Sequence, residues 1–233
     1  MPQQCTDIIK KSKLKMTIYN IKIYVHPKVY PPSDDTYLLL EGLNVPYRAK
    51  FLDMGSGTGI IGIYAALNGA SYVLSIDINP IASLLTYCNA HINEVSEIVD
   101  SINASLFMAL RRKRTFDIIA FNPPYLPVEE EGLLERAWSG GISGRKVIDE
   151  FLRNIDEYLV ENGKIFMVQS SLSNPMRTLT YLEKKGFKAE IVKSKRFFFE
   201  EILVIRAYRR VKRASHQNSF SRTRRRNQRW LSS

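Results

Sequence analysis

Three short stretches carry residues whose types and spacing suit joint chemistry: DMGSGTGIIG at 53–62, SIDINP at 75–80 and FNPPYLP at 121–127. In the last, an asparagine stands beside two prolines and a tyrosine at the end of an apolar run. Asn-Pro alone reads as a turn, because proline fixes φ and asparagine tolerates turn geometry. It also reads as a pair of acceptors for a planar NH2 group. The side-chain oxygen of Asn122 and the carbonyl of Pro123 would each take one hydrogen. Pro124 stiffens the backbone that aims them and has no N–H to leave unsatisfied, while Tyr125 offers a flat face to a flat substrate.

In the first stretch Gly57, Gly59 and Gly62 match the G-x-G-x-x-G spacing of dinucleotide binding, and Asp77 falls where a ribose-binding acid belongs. The residue ahead of the glycines argues for a different ligand. Asp53 would end its strand against the loop, where a carboxylate suits a cation better than a doubly anionic pyrophosphate. S-adenosylmethionine supplies a positive amino group and a sulfonium. Asp53 would attract the amino group, directly or through water, and Gly55, Gly57 and Gly59 would let the backbone approach without a Cβ. Asp77 would accept the ribose hydroxyls. The plainer alternative is a tight strand-to-helix turn with two solvated acids. With a methyl donor in the loop, holding nitrogen, methyl carbon and sulfur in line supplies most of the rate. No strong general base is needed, since the product nitrogen loses its proton after transfer.

These stretches need a scaffold that brings strand ends together. KFLDM at 50–54, YVLSID at 72–77, FDIIAF at 116–121 and KIFMVQ at 164–169 are apolar, β-rich runs alternating with helical patterns. That rhythm predicts an α/β domain with a mostly parallel sheet, whose ligands bind beyond the carboxyl ends of the strands. Asn79 and Pro80 fit a helix cap and first helical position, and Val147, Ile148, Phe151, Leu152, Ile155 and Leu159 form an apolar stripe at helical spacing. FKAEIV and EILVIRAY, joined by KSKRFFFEE, are expected to pair antiparallel at one sheet edge. TIYNIKIYV reads as a strand and DDTYLLLEGL as a helix ahead of the glycine loop.

The chain has 233 residues, 45% of them hydrophobic, which suits one domain with a sizeable core. No apolar run is long enough to span a bilayer, and the N-terminus lacks the apolar core and cleavage site of a signal peptide, so the expected compartment is the cytoplasm. Cys5 and Cys88 lie far apart and the histidines make no spaced ligand set, so neither a disulfide framework nor a metal site is expected. Of the net charge of +11, ten positive charges fall from Arg206 onward, which leaves the body nearly neutral. Residues 214–233 are Arg-rich and poor in core-forming types, which predicts a disordered tail, either merely solvated or tethering RNA or the ribosome.

In order and spacing, DMGSGTG, SIDINP and FNPPY resemble class I S-adenosylmethionine-dependent methyltransferases of the amino-methylating group. The resemblance covers the chain to about residue 210. Within that group, VYPPSDDTYLLLEGL at 29–43 and ERAWSGGISGRKVIDEFL at 135–152 resemble HemK-like release-factor glutamine methyltransferases of the short eukaryotic and archaeal type. The resemblance implies a Rossmann-like fold over residues 1–213, with helices on both faces of a mostly parallel twisted sheet and an antiparallel edge strand. It implies N5-methylation of the glutamine in the Gly-Gly-Gln loop of a translation release factor, with S-adenosylhomocysteine as the second product. It places Thr36 at the cofactor's methionine end and Ser105 and Leu106 near the adenine, Ser105 standing where the family usually has an aspartate. It also implies a small zinc-binding activator subunit, for which the strand around SEIVDSINA is a candidate docking edge.

Two other readings fit the same residues. An exposed adenine N6 or guanine N2 amine in DNA or RNA presents the same planar geometry as an amide. The basic tail with Trp230 favours such a substrate, and the nearly neutral body with no target-reading domain disfavours it. The other rival is a methyltransferase-like RNA-binding subunit without catalysis, against which the intact Asp53, Asp77 and Asn-Pro-Pro-Tyr argue.

Overall fold

The computed structural model describes residues 2–12, 14–127 and 140–209. The expected tail at 214–233 and Trp138 of the AWSGG stretch lie outside the described residues.

Among the described residues seven strands form one sheet. In chain order they are β3 (Lys50–Met54), β4 (Tyr72–Asp77), β5 (Val99–Asn103), β6 (Phe116–Phe121), β7 (Leu159–Ser170), β8 (Phe187–Arg196) and β9 (Glu201–Arg209), arranged as β5-β4-β3-β6-β7-β9-β8. The first five in that arrangement pair in parallel, and β9 and β8 add the antiparallel edge. Because β4 and β5 step outward on one side of β3 while β6 starts the other side, the crevice of the sheet opens at the ends of β3, β4 and β6. Asp77 closes β4, Asn122 follows β6 and Asp53 stands one residue before the end of β3, so apolar runs carry all three to this end of the sheet.

Successive residues of the strands fill opposite faces, with one register shift in β6 between Phe116 and Ile118. Phe51, Ile118, Phe166 and Val204 pack with α2 (Asp34–Gly42) and α3 (Ile60–Leu67). Leu52, Ile119, Ile165, Met167 and Ile205 pack on the other face with α5 (Lys146–Asn154) and α6 (Pro175–Lys184). A sheet buried on both faces needs such continuous apolar runs, and each fully buried Phe or Ile contributes roughly 1.5–3 kcal/mol. Helix α4 (Pro80–Ile92) begins as its sequence predicts, with the Asn79 side chain accepting the Ile81 amide and Pro80 at the first position.

Three expectations change. TIYNIKIYV is not one strand but a hairpin, β1 (Leu14–Ile18) and β2 (Ile21–Val25), closed by Tyr19 and Asn20 at φ 48 and 66. Two left-handed residues match the twist of such a hairpin, but tyrosine seldom signals one. The stripe from Val147 breaks after α5, and Leu159 is a strand residue opposite Phe116. Cys5 and Cys88 are joined in a disulfide with Cα atoms 5.3 Å apart. Helix α1 (Gln3–Lys11) lies on α4 and buries Cys5 among Ile8, Val29, Ala82 and Leu85, so packing brings together sulfurs that are distant in sequence.

Candidate active site

The turn from β3 into α3 places Gly55, Gly57 and Gly59 at φ 68, 55 and 83, a region that costs other residues strain. A Cβ on Gly57 would meet only the Tyr30 carbonyl, at 3.8 Å, so this face of the loop is open. Beside it Asp77 accepts the Gly57 amide through Oδ2 and the Asn79 amide through Oδ1, each at 2.8 Å. Burial pushes the Asp77 carboxyl above its ordinary value, against the pull of those two amides. The carboxylate therefore fixes the glycine loop while its remaining lone pairs are available to hydroxyls.

Asp53 is placed differently from its neighbours. It is fully buried, and its Oδ2 accepts the Gly62 amide at 3.0 Å. Burial pushes its carboxyl up to about 7, the Gly62 amide pulls the other way, and the Asp77 charge adds to the rise. Its Oδ1 has no partner among the described residues. The cavity wall begins one residue later, at Met54.

The acceptor motif is held by a residue that the sequence did not single out. Asp35, in the first turn of α2, accepts Asn122 Nδ2 at 3.1 Å and the Tyr125 hydroxyl at 3.0 Å on one carboxylate oxygen. Its other oxygen takes the Thr36 amide at 2.6 Å and the Thr36 hydroxyl at 3.1 Å. With its NH2 turned to Asp35, the Asn122 side chain leaves Oδ1 buried and without a partner among the described residues. Asn122 is a lining residue of the cavity, and an acceptor left orphaned is costly to the fold, as expected of a group kept for an N–H donor that reaches it when substrate fills the site. Burial first, and then the charge of Asp35, hold the Tyr125 proton on, so the phenol stays a donor.

Behind the motif, Gly140 donates to the Leu126 carbonyl at 2.8 Å, and Gly144, at φ 65, passes so close to the Tyr125 carbonyl that a Cβ there would overlap it. Arg145, nearly fully buried, anchors this passage. It donates to the Ser173 and Asn174 carbonyls at 2.7 and 2.8 Å and to Asp149 at 2.8 Å.

These elements enclose a cavity of about 1320 Å3. Of the expected site residues, Thr36, Gly55, Gly57, Asp77, Ser105, Leu106, Asn122, Pro123, Pro124 and Tyr125 line it. Gly59 instead faces Thr86 of α4, and Asp53 lies beneath the loop. Leu106 sits at φ 45, a left-handed turn that few leucines adopt, at the end of the cavity where β5 stops. Lys146 and Glu150 of α5 and Tyr30 also line the wall; they fall in the two stretches that carry the family resemblance, where the sequence pointed to Thr36 alone as a cofactor contact. The Asp77 carboxylate, the open glycine face and the orphaned Asn122 oxygen fit a nucleoside bearing a positively charged amino acid tail beside an amide-sized acceptor.

The chain matches the family described as Methyltransferase small domain over residues 21–199. The Methanocaldococcus jannaschii protein named "Putative protein N5-glutamine methyltransferase" is 39% identical over 196 residues, 82% of this chain and 98% of that one. Human methyltransferase HEMK2 is 30% identical over 191 residues, 76% of this chain and 88% of that one. Among solved structures, the E. cuniculi Mtq2–Trm112 complex, described as responsible for methylating the eRF1 translation termination factor, superposes with a TM-score of 0.61 at 25% identity. It covers 78% of this chain and 99% of that chain.

Proposed function

The chain belongs to the Methyltransferase small domain family, and from that premise we propose that it methylates the glutamine side-chain amide in the Gly-Gly-Gln loop of a translation release factor. S-adenosylmethionine supplies the methyl group as an electrophile on sulfur. Asp77 would accept its ribose hydroxyls, the Gly55–Gly57 backbone and Thr36 would hold its amino acid end, and Ser105 and Leu106 would flank its adenine. Asn122 Oδ1 and the Pro123 carbonyl accept the two amide hydrogens, and Tyr125 packs on the amide plane. The nitrogen is then aimed at the methyl carbon, and its proton leaves to solvent after transfer.

The observation that carries this reading is the buried, unpartnered Asn122 Oδ1, whose orientation Asp35 fixes. The relatives named for glutamine or release-factor methylation favour an amide over a nucleobase amine. The exposed outer edge of β5 is the place for a small zinc-binding subunit, in keeping with the two-subunit neighbour, and the Arg-rich tail is an RNA or ribosome contact. Among the described residues no helix is long and apolar enough to cross a membrane, and the proposed place of action is the cytoplasm.

The test is transfer of labelled methyl groups from S-adenosylmethionine into purified release factor, with and without whatever subunit copurifies, followed by peptide mapping. Label in the Gly-Gly-Gln peptide supports the reading. Label in RNA and none in that peptide overturns it in favour of a nucleobase.

A further inference from the structure

A glutamine side chain is small, and the cavity that receives it offers the substrate protein little contact area. Selectivity for one protein among many must then draw on surface outside the cavity. The turn between β8 and β9 provides such a surface. Phe198 and Phe199 are 92% and 84% exposed, with rings edge-to-face at 4.7 Å. Exposed rings on a loose loop would mean little, but this turn is held from several sides. Phe197 packs into the core cluster that also takes Tyr125, and its amide donates to the Glu200 carbonyl at 2.7 Å. Glu200 accepts the Ser170 hydroxyl at 2.6 Å, the Glu201 amide donates to Ser171 at 3.0 Å, and Lys195 pairs with Asp34 at 2.9 Å.

Those anchors also locate the turn. Phe121 pairs with Met167, so Ser170 stands just beyond the level of Asn122 at the same end of the sheet. Asp34 adjoins Asp35, which holds the acceptor motif. Burial and the charge of Asp35 push both Tyr125 and Tyr30 up, and the charge of Glu200 adds a minor push in the same direction. The turn thus stands at the end of the sheet that carries the cavity.

We propose that the Phe198–Phe199 turn is the docking surface for the protein substrate, received by an apolar patch next to its acceptor loop. This rests on the release-factor reading above. Charge favours protein over nucleic acid as the occupant. Of the three cations preceding the turn, Lys193 and Lys195 face Glu41 and Asp34 at 3.6 and 2.9 Å, which leaves Arg196 against Glu200 and Glu201. Among the described residues a phosphate backbone would meet two carboxylates and one unpaired cation there, whereas an apolar protein surface gains from covering both rings.

The experiment compares the full chain with Phe198→Ser/Phe199→Ser, using intact release factor and a short peptide carrying only its Gly-Gly-Gln loop. Matching melting curves establish that the variant folds, as the exposure of both rings predicts. The expected result is a KM for intact release factor raised about tenfold or more, the scale on which aromatic anchors act, with peptide methylation and S-adenosylmethionine affinity unchanged. A Phe198→Tyr/Phe199→Leu variant should restore most of the loss. An unchanged KM in the serine variant overturns the docking surface and leaves the proposed function standing. Loss of RNA binding with normal KM for the protein assigns the turn to nucleic acid and equally overturns it. Failure of the unaltered chain to methylate the release factor overturns the function first and this surface with it.

Discussion

Asp35 and Asn122 lie 87 residues apart in sequence and meet at 3.1 Å, with the Asn122 amide hydrogens directed at the carboxylate. An asparagine can present either end of its amide, and Asp35 removes that choice. Replacing Asp35 with Ala frees Asn122 to rotate and removes the acceptor of the Tyr125 hydroxyl. We expect a fall in kcat of about 10²-fold, the order associated with small misplacements of positioning groups, with a smaller loss of S-adenosylmethionine affinity by calorimetry because Asp35 also holds Thr36.

Gly144 predicts a second, independent route to the same defect. At φ 65 and with the Tyr125 carbonyl where a Cβ would go, Gly144→Ala must push the acceptor motif out of place. We expect lowered kcat together with a loss of stability of about 1–3 kcal/mol, read from denaturant unfolding. Activity retained alongside full stability would mean that the motif tolerates the shift.

The buried Asp53 makes stability depend on pH in an unusual direction. Its folded-state value of about 7 lies above the ordinary 3.8, so between them the native chain binds the proton that the unfolded chain has released. Stability from this group is fully present below about pH 4 and is lost as pH rises toward 7, by an amount on the order of 4 kcal/mol at most. Asp53→Asn keeps an acceptor for the Gly62 amide and cannot ionise. The difference in unfolding free energy between the original chain and this variant should therefore shrink against the original as pH climbs from 4 to 7.5, and a flat difference would contradict the assignment.

The Cys5–Cys88 bridge closes a loop with a sequence separation of 83 residues. Loop-closure entropy alone assigns it about 4–5 kcal/mol. Reduction, or Cys5→Ser, should lower Tm by roughly 10 °C or more in a protein of this size, as followed by calorimetry.

The parts of the site that were legible in sequence are those where strand and chemistry share one stretch. β4 ends in Asp77, β6 leads straight into Asn122 and β3 carries Asp53 one residue before its end, so the pattern that makes each strand also brings its acid or amide to the crevice end of the sheet. What was not legible depends on packing between segments that are remote in sequence. SDDT contains two adjacent acids, and only the docking of α2 on the sheet sends Asp35 inward while Asp34 faces Lys195. Cys5 and Cys88 meet because α1 lies on α4, a contact with no periodic signature. Asp53 sits beneath the loop rather than in the cavity, because its carboxylate is drawn to the Gly62 amide inside the turn.

The central claim is that the unpartnered Asn122 oxygen receives the acceptor amide, and its most direct measurement is single-turnover transfer by Asn122→Ala at saturating S-adenosylmethionine. The account predicts a rate into the Gly-Gly-Gln glutamine lowered by roughly 10²–10³-fold, the scale on which a preorganised hydrogen-bonding group acts. A rate equal to that of the unaltered chain would contradict it.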